Sequence, residues 1–134
     1  MAALQSPPVH STDAARLRAL AEYAILDTDQ EDAFDQLAML AAQLCGTPMA
    51  VVNFLDAERQ WFKAAVGVPM RETPRSEAFC DQALRNPRQP TVVEDATRHP
   101  IFATYPSVVG EPHIRFYACI PLVTDEGMPW APWR

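Results

Sequence analysis

Apolar residues recur with a helical period over the first third of the chain. In "STDAARLRALAEYAI", which begins with a polar N-cap, Leu17, Leu20, Ala21 and Ala24 lie on one stripe, so the spacing predicts a first amphipathic helix. A second, longer helix is predicted over "LDTDQEDAFDQLAMLAAQLCG", where Thr28 and Glu31 have capping-box spacing and Gly46 suits a C-terminal stop. Its predicted buried face consists of Phe34, Leu37, Ala38, Ala41 and Leu44.

The period then changes to that of β-strands. In "PMAVVNFLDAERQWFKAAVG", strands are predicted at 49–55 and 60–66, joined by the polar turn "DAER". In the first strand Ala50, Val52 and Phe54 share one face, and Val51, Asn53 and Leu55 share the other. Since both faces are mostly apolar, this strand is expected inside a sheet that is covered on both sides.

The sequence from residue 76 onward predicts a helix, two strands and a long irregular segment. Ser76 is expected to cap a helix over 76–86, and "NPRQP" ends it. Its inward stripe would be Phe79, Cys80, Ala83 and Leu84. "TVVED" predicts a short strand, 96–113 an irregular stretch with one helical turn near Phe102, and "IRFYACIPLVT" a stronger strand.

Composition narrows the class of protein. The 134 residues are 49% hydrophobic and 21% charged, as in ordinary globular domains, which predicts one domain. The net charge of -6 gives no basic surface for phosphates, so nucleic-acid binding is not expected. Neither a membrane span nor a signal peptide is visible, so the expected location is the cytoplasm and no membrane partner is expected.

The spacing of the cysteines and glycines argues against several kinds of functional site. Cys45, Cys80 and Cys119 are far apart and form no C-x-x-C pair, so reduced thiols are expected and a zinc ribbon is not. The four glycines are too scattered for a phosphate loop. The acidic run "DTDQED" resembles a metal loop, but helix capping by carboxylates explains it better, and no metal site is predicted.

Several side chains allow a functional and a structural interpretation. His99 and His113, near Tyr105 and Arg115, suit contact with an anionic or polar ligand, metal coordination or loop structure, and loop structure is favoured. Cys80 is either a reactive thiol at a helix start or, as its apolar stripe favours, a buried structural residue. An aromatic set could line a cavity or form core: Phe54, Trp61, Phe62, Phe79, Phe102, Tyr105, Phe116 and Tyr117.

The ordered motifs "YAILDT", "FDQLAMLAAQLCGTPMAVVNFLDAERQWFKAAVG", "RETPRSEAFCDQAL" and "VVEDATRHPIFATYPSVVGEPHIRFYACIPL" resemble the bacterial GAF domain. The resemblance covers residues 15–122. It is to the subgroup of GAF domains that is often found ahead of sensor kinases or cyclic-di-GMP synthases. It implies an α+β, PAS-related fold: an antiparallel sheet with helices packed on one face, and a ligand pocket on the other. A domain at 13–124 would follow a flexible leader at 1–12.

The resemblance also implies a site and partners. The pocket would lie among the helix at 76–86, the loop at 97–113 and the strand at 115–123. Its candidate ligand-binding residues are Phe79, Cys80, Phe102, Tyr105, His113, Phe116 and Cys119. The expected partners are an unidentified small molecule, a second copy bound through the N-terminal helices, and a separate output protein. The motif context of tetrapyrrole-binding and cyclic-nucleotide-binding relatives is not found, so the cofactor is unknown.

Three functions therefore remain open on the sequence. The first is a non-catalytic sensory or regulatory module in signal transduction. The second, similar to the GAF-type free methionine-sulfoxide reductase, is a thiol-based enzyme using cysteines. The third is a purely structural dimerisation domain with a filled pocket.

The segment 125–134, "DEGMPWAPWR", is rich in proline and tryptophan where the subgroup has its last strand, followed by a helix. If the codon of Gly127 is GGC, moving the reading frame of "GMPWAPW" by one base gives His-Ala-Leu/Val/Met-Gly-Thr/Ala/Ser/Pro-Leu/Val/Met, which is compatible with the expected strand. The sequence therefore favours an out-of-frame translation for this tail, with the last strand and helix missing or replaced. The alternative is a genuine tail that caps the sheet with Trp130 and Trp133. Loss of a central strand would leave unpaired backbone groups at two sheet edges.

Overall fold

A computed structural model describes the backbone of residues 9–123 and the side chains of residues 13–123. The chain forms two compact units, which divide between Arg75 and Ser76. The first unit contains α1 (Val9–Tyr23), α2 (Asp32–Cys45) and an antiparallel sheet of β1 (Ala50–Leu55), β2 (Arg59–Val66) and β3 (Glu72–Pro74). Among the described residues, no helix has the length and apolar character needed to cross a bilayer.

The buried face of α1 differs from the predicted stripe. Leu20 and Arg16 are buried, whereas Ala21 and Ala24 are exposed. The Arg16 guanidinium donates hydrogen bonds to the Asp13 carboxylate, 3.0 Å away, and to the Leu55 carbonyl at the end of β1. A buried arginine needs such partners, so polar bonds hold α1 to the sheet together with the apolar contacts.

The predicted face of α2 splits in two. Ala38 is buried and Phe34 is half-buried, and α2 packs on β1 and β2. The side chains of Leu37, Leu40 and Leu44, which we call the leucine stripe, are 37%, 50% and 77% exposed. Ala41 is exposed beside them. The expectation that Leu37, Ala41 and Leu44 share the buried face is therefore wrong, because the inward stripe is narrower than the apolar one.

The C-terminal cap of α2 agrees with the prediction, and its N-terminal cap does not. Gly46 caps the C-terminus with φ 63° and ψ 33°, a left-handed conformation that glycine adopts at little cost, as predicted. The predicted capping box is wrong: Glu31 is the N-cap and makes no side-chain capping bond. The Thr28 hydroxyl instead donates to the Ile25 carbonyl and accepts a hydrogen bond from Lys63 Nζ at 2.8 Å.

Two cations of β2 fix the connection between α1 and α2. Lys63, 1% exposed, binds the Thr28 hydroxyl and the Asp29 carbonyl, and its Nζ lies 2.7 Å from the Glu31 carboxylate. Arg59 donates two hydrogen bonds to the Asp27 carboxylate, at 2.8 and 2.6 Å. This connection contains a left-handed backbone at Asp27, φ 60°, which the bidentate pair helps to hold.

The β1–β2 hairpin has the predicted strands and turn. Ala50 pairs with Val66 and Leu55 with Gln60, with a bulge between Val52 and Asn53. At the end of β2, a Cβ on Gly67 would lie 2.3 Å from the Pro48 carbonyl oxygen, so only glycine fits there. The chain can therefore close the hairpin against the segment that precedes it.

The expectation of an interior, fully covered β1 does not hold for the described residues. Among them the strand order is β1-β2-β3, which places β1 at an edge, and Val51 is 37% exposed. The bulge also interrupts the strict alternation on which the prediction relied. The strand expected on the other side of β1 falls in the tail, which lies outside the described residues.

The second unit contains short elements around an apolar core. α3 (Phe79–Ala83), α4 (Pro106–Val109) and 3-10 turns at Ala96–Arg98 and Phe102–Thr104 accompany an antiparallel pair, β4 (Thr91–Val93) and β5 (Tyr117–Cys119). The helix predicted over 76–86 is thus shorter, with Ala78 rather than Ser76 as N-cap. The segment 96–113 is more regular than predicted. The core of the second unit consists of Phe79, Val93, Ala96, Phe102 and Val108.

Candidate functional site

Aromatic rings from four segments meet in the second unit. Phe79 of α3 stacks on Phe102, with ring centroids 4.3 Å apart. Tyr105, which follows the second 3-10 turn, lies 5.4 Å from Phe79, and Tyr117 of β5 meets Phe79 edge-on at 4.8 Å. We call these four residues the aromatic cluster. Stacked and edge-on pairs add to the stabilisation from burial.

Three of the predicted site residues, Phe79, Phe102 and Tyr105, belong to the aromatic cluster. Phe116 does not, because it is 51% exposed and its neighbour Tyr117 points inward instead. The strand "IRFYACI" has apolar residues on both faces, so alternation alone could not fix which face is buried. Sequence reasoning placed Tyr117 in the aromatic set but missed it as a site residue.

The two candidate thiols of this unit are both sheltered. Cys80 is 7% exposed, as its apolar stripe predicted. Cys119 lies two residues beyond Tyr117, on the same face of β5, and burial raises its pKa despite an opposing hydrogen bond with Tyr117. Burial also raises the pKa of Tyr117 well above its usual value, with a further contribution from Cys119. The raised pKa of Cys119 keeps its thiol protonated near pH 7, which disfavours a nucleophilic thiolate at this position.

Tyr105 forms the polar rim of the aromatic cluster. Its residue is half-buried, and burial raises the pKa of its hydroxyl, with a further contribution from the Asp81 carboxylate and an opposing hydrogen bond with Gln82. A phenol hydroxyl beside an amide gives this apolar cluster hydrogen-bonding groups at one edge. Such a combination suits a small ligand with an apolar body and one polar end.

The two histidines have different surroundings. His99 Nδ1 accepts hydrogen bonds from the backbone N–H groups of Ile101 and Phe102, at 3.1 and 3.2 Å, and its ring stacks on Phe102. His99 thus orders the loop, the interpretation favoured from the sequence. His113 has a left-handed φ of 58°, and its half-exposed side chain lies 3.5 Å from the Glu111 carboxylate.

Metal binding finds no support in the described part of the chain. Within it, no three histidine, cysteine or acidic side chains gather into a group that could hold an ion. Asp95 instead caps the 3-10 turn that follows it, accepting a hydrogen bond from the Thr97 N–H at 3.0 Å. The Asp95 carboxylate therefore has a structural role.

The fold agrees with one family. A model of the GAF domain matches residues 29–131, and the chain belongs to the GAF domain family. The helices and antiparallel sheets are consistent with it, which confirms the expected α+β fold class. GAF domains are commonly sensory or regulatory modules in signalling and are generally not catalytic themselves. The match extends through residues 125–131 of the tail. The altered-frame hypothesis stays a prediction.

A comparison with curated proteins finds a similar sequence in a larger enzyme. A cyclic di-GMP phosphodiesterase of Pseudomonas aeruginosa is 36% identical over 125 residues, which cover 93% of this chain. The same residues are 21% of that protein, so the chain spans about a fifth of the length of this relative.

Proposed function

We propose that this chain is a non-catalytic sensory module of a bacterial, cytoplasmic signalling system, which binds a small molecule and dimerises. The observation that supports this most directly is its similarity to one fifth of a cyclic di-GMP phosphodiesterase. In this proposal, a GAF domain that corresponds to so small a part of an enzyme would regulate the activity of other domains. The output controlled here would be cyclic di-GMP turnover, in the same protein or in a separate one.

The ligand site proposed is the aromatic cluster with its surrounding residues. Phe79, Phe102 and Tyr105 supply apolar surface, and Cys80 and Cys119 supply polarisable sulfur atoms. His113 and Phe116, predicted from the sequence, would contact only a ligand that extends beyond the cluster. Since Phe79 and Phe102 are almost fully buried, binding requires their packing to open.

That requirement suggests how a ligand would produce a signal. A module with a closed and an open aromatic packing responds to a ligand that binds the open packing more tightly. A tenfold difference in affinity shifts the balance by about 1.4 kcal/mol, enough to change the populations of two nearly equal states. The same shift would be transmitted to the output domain through the helices.

Dimerisation is proposed through the N-terminal helices, with the leucine stripe as the contact. Leu37, Leu40, Ala41 and Leu44 have the i, i+3, i+4, i+7 spacing of a helix face that packs on another helix. Their exposure leaves a large apolar surface in contact with water in a single chain. A second copy would cover it with an identical stripe.

Native mass spectrometry of the full chain purified from bacteria tests the ligand proposal. We expect a non-covalent adduct that is lost on denaturation. Tyr105→Phe, which removes the rim hydroxyl, should weaken retention of the adduct about three- to tenfold, the value of one neutral hydrogen bond. Tyr23→Phe in α1 is the matched control and should retain the adduct.

The proposal fails if the chain carries no adduct and its amide NMR signals at residues 79–82 and 102–105 do not respond to a bacterial metabolite extract. Thiol alkylation rates at neutral pH test the enzyme alternative separately. Slow alkylation of Cys80 and Cys119 is expected from their burial, and a fast Cys119 would favour the reductase-type activity instead.

A further inference from the structure

A cleft lies in the first unit, and none of the residues predicted as a site lines it. Residues 27–30 of the α1–α2 connection form one wall, and Arg71 and Glu72 at the start of β3 form the other. Trp61 of β2 lies between them. The cleft is open to solvent and has a volume of about 600 Å³, within the range of about 300–1,000 Å³ that is usual for small-molecule sites.

The wall formed by residues 27–30 is fixed before any ligand arrives. Arg59 holds the Asp27 carboxylate through two hydrogen bonds, and Lys63 binds the Thr28 hydroxyl and the Asp29 carbonyl. Lys63 itself is fully buried, so this anchor is shielded from water. A wall that is already ordered loses little conformational entropy on binding, which favours affinity.

Among the described residues, the cleft has one cationic and one anionic side chain without a partner of opposite charge. The carboxylates of Asp27 and Glu72 both lie against Arg59, at 2.6 and 3.5 Å. Within the described residues, the side chains of Asp29 and Arg71 make no hydrogen bond or ion pair, although both line this cleft. Opposite charges that line one cleft without pairing with each other suit a ligand that has both charges.

We propose that this cleft binds a small zwitterion, a molecule with one ammonium and one carboxylate group, of the amino-acid class. Arg71 receives the carboxylate, for which its planar guanidinium offers two parallel hydrogen bonds. Asp29 receives the ammonium. Trp61, between the two walls, contacts the carbon skeleton of the ligand. The site is distinct from the aromatic cluster, since all its residues belong to the first unit.

Amide NMR titration of the full chain tests this with defined probes. The aliphatic L-amino acids and the series glycine, β-alanine, γ-aminobutyrate and ε-aminocaproate vary the skeleton and the spacing of the two charges. We expect at least one probe to shift the signals of residues 27–30, 61 and 71–72 saturably. Its amide, which lacks the carboxylate, and its N-acetyl form, which lacks the ammonium, should each bind about tenfold more weakly or worse.

Charge-neutral variants test the same contacts from the protein side. Arg71→Gln and Asp29→Asn, both at exposed positions, should each weaken binding about tenfold and leave the unfolding midpoint unchanged. Arg88→Gln and Glu94→Gln, exposed in the second unit, are the matched controls and should bind as the parent does.

Two results would overturn the proposal. One is the absence of any shift at the cleft residues with every zwitterion of the series at millimolar concentration. The other is binding that survives equally in Arg71→Gln and Asp29→Asn, since the charges would then not be recognised. Shifts confined to residues 79–82 and 102–105 would also count against it, while supporting the separate ligand site of the aromatic cluster.

Discussion

Lys63 is the only lysine in the chain, and its ammonium group is buried among three oxygen partners of the α1–α2 connection. Its Nζ also lies 5.4 Å from the centre of the Phe34 ring, within cation–π range. One side chain therefore joins the middle of β2 to the connection and to α2. Sequence reasoning missed this role, although a lone charge inside the apolar run "WFKAAV" was the available signal.

Replacing Lys63 with methionine should destabilise the chain by about 1–3 kcal/mol. Methionine keeps the length of the stem but leaves the Thr28 hydroxyl and the Asp29 carbonyl without their donor. The loss stays at this level because Glu31 is 58% exposed and water can solvate its charge. Urea unfolding measures the change. Arg18→Met, on the exposed side of α1, should change the midpoint little, and an equal loss in both would contradict the anchoring role.

Two adjacent residues test the observed phase of β5. Tyr117→Ala removes a ring that meets Phe79 edge-on and should cost about 3 kcal/mol, as for other buried aromatic truncations. Phe116→Ala should cost under about 1 kcal/mol because half of Phe116 is exposed. Thermal or urea unfolding compares the pair, and a larger loss from Phe116→Ala would mean that the phase is reversed.

At the scale of elements, sequence periodicity predicted type better than orientation. Both long helices and the hairpin were predicted because their apolar periods are long and are bounded by clear turn residues. The inward faces were predicted less well. Arg16 lies on the buried face of α1 because its guanidinium forms specific hydrogen bonds. In α2, the apolar face is wider than the surface that the sheet can cover. Neither effect is encoded in the spacing of apolar residues.

Charge at the centre of the leucine stripe should abolish dimerisation. Leu40→Glu places a carboxylate on the stripe, where association would have to desolvate it. We expect a monomer by sedimentation equilibrium and an unfolding midpoint close to that of the parent monomer. Gln43→Glu adds the same charge at a polar position of α2 and should leave the dimer intact. A parent chain that remains monomeric at high concentration would contradict the proposal.

At the scale of the whole molecule, the sequence predicted the family but overestimated the length of two elements. The helix predicted at 76–86 is α3 (Phe79–Ala83), and the strand predicted at 115–123 is β5 (Tyr117–Cys119). The aromatic cluster could be predicted in part because its members stand out as apolar residues in separate segments. The cleft of the first unit could not, since Asp29 and Arg71 become neighbours of one cavity only through the fold. The tail lies outside the described residues, so its predicted origin stays a question for the coding DNA.

Stability of the folded chain should fall at both ends of the pH scale. Burial opposes ionisation of Asp13, but hydrogen bonds from Arg75 and Arg16 prevail and lower its pKa below the usual 3.8. The contribution of Asp13 is thus present above pH 3.8 and is lost as the pH falls through its lowered value. Burial raises the pKa of Cys119 above 9.0, so its contribution is present below pH 9.0 and is lost as the pH rises.

Urea midpoints measured across the pH range check both limbs. Asp13→Asn should flatten the acid limb and Cys119→Ser the alkaline limb, each with some loss of stability at neutral pH. Glu58→Gln, at an exposed position of the hairpin turn, is the control and should keep the parent profile. An acid limb that is unchanged in Asp13→Asn would show that other carboxylates determine it.

The burial of the sole lysine also determines how the folded chain reacts with acylating reagents. An N-hydroxysuccinimide ester finds a single side-chain amine, and in the native fold that amine is covered and hydrogen-bonded. Immobilisation or dye attachment through amines is therefore directed to the α-amino terminus. Acylation of Lys63, in turn, requires the α1–α2 connection to detach transiently from β2, so the acylation rate of this one residue would measure how often that opening occurs.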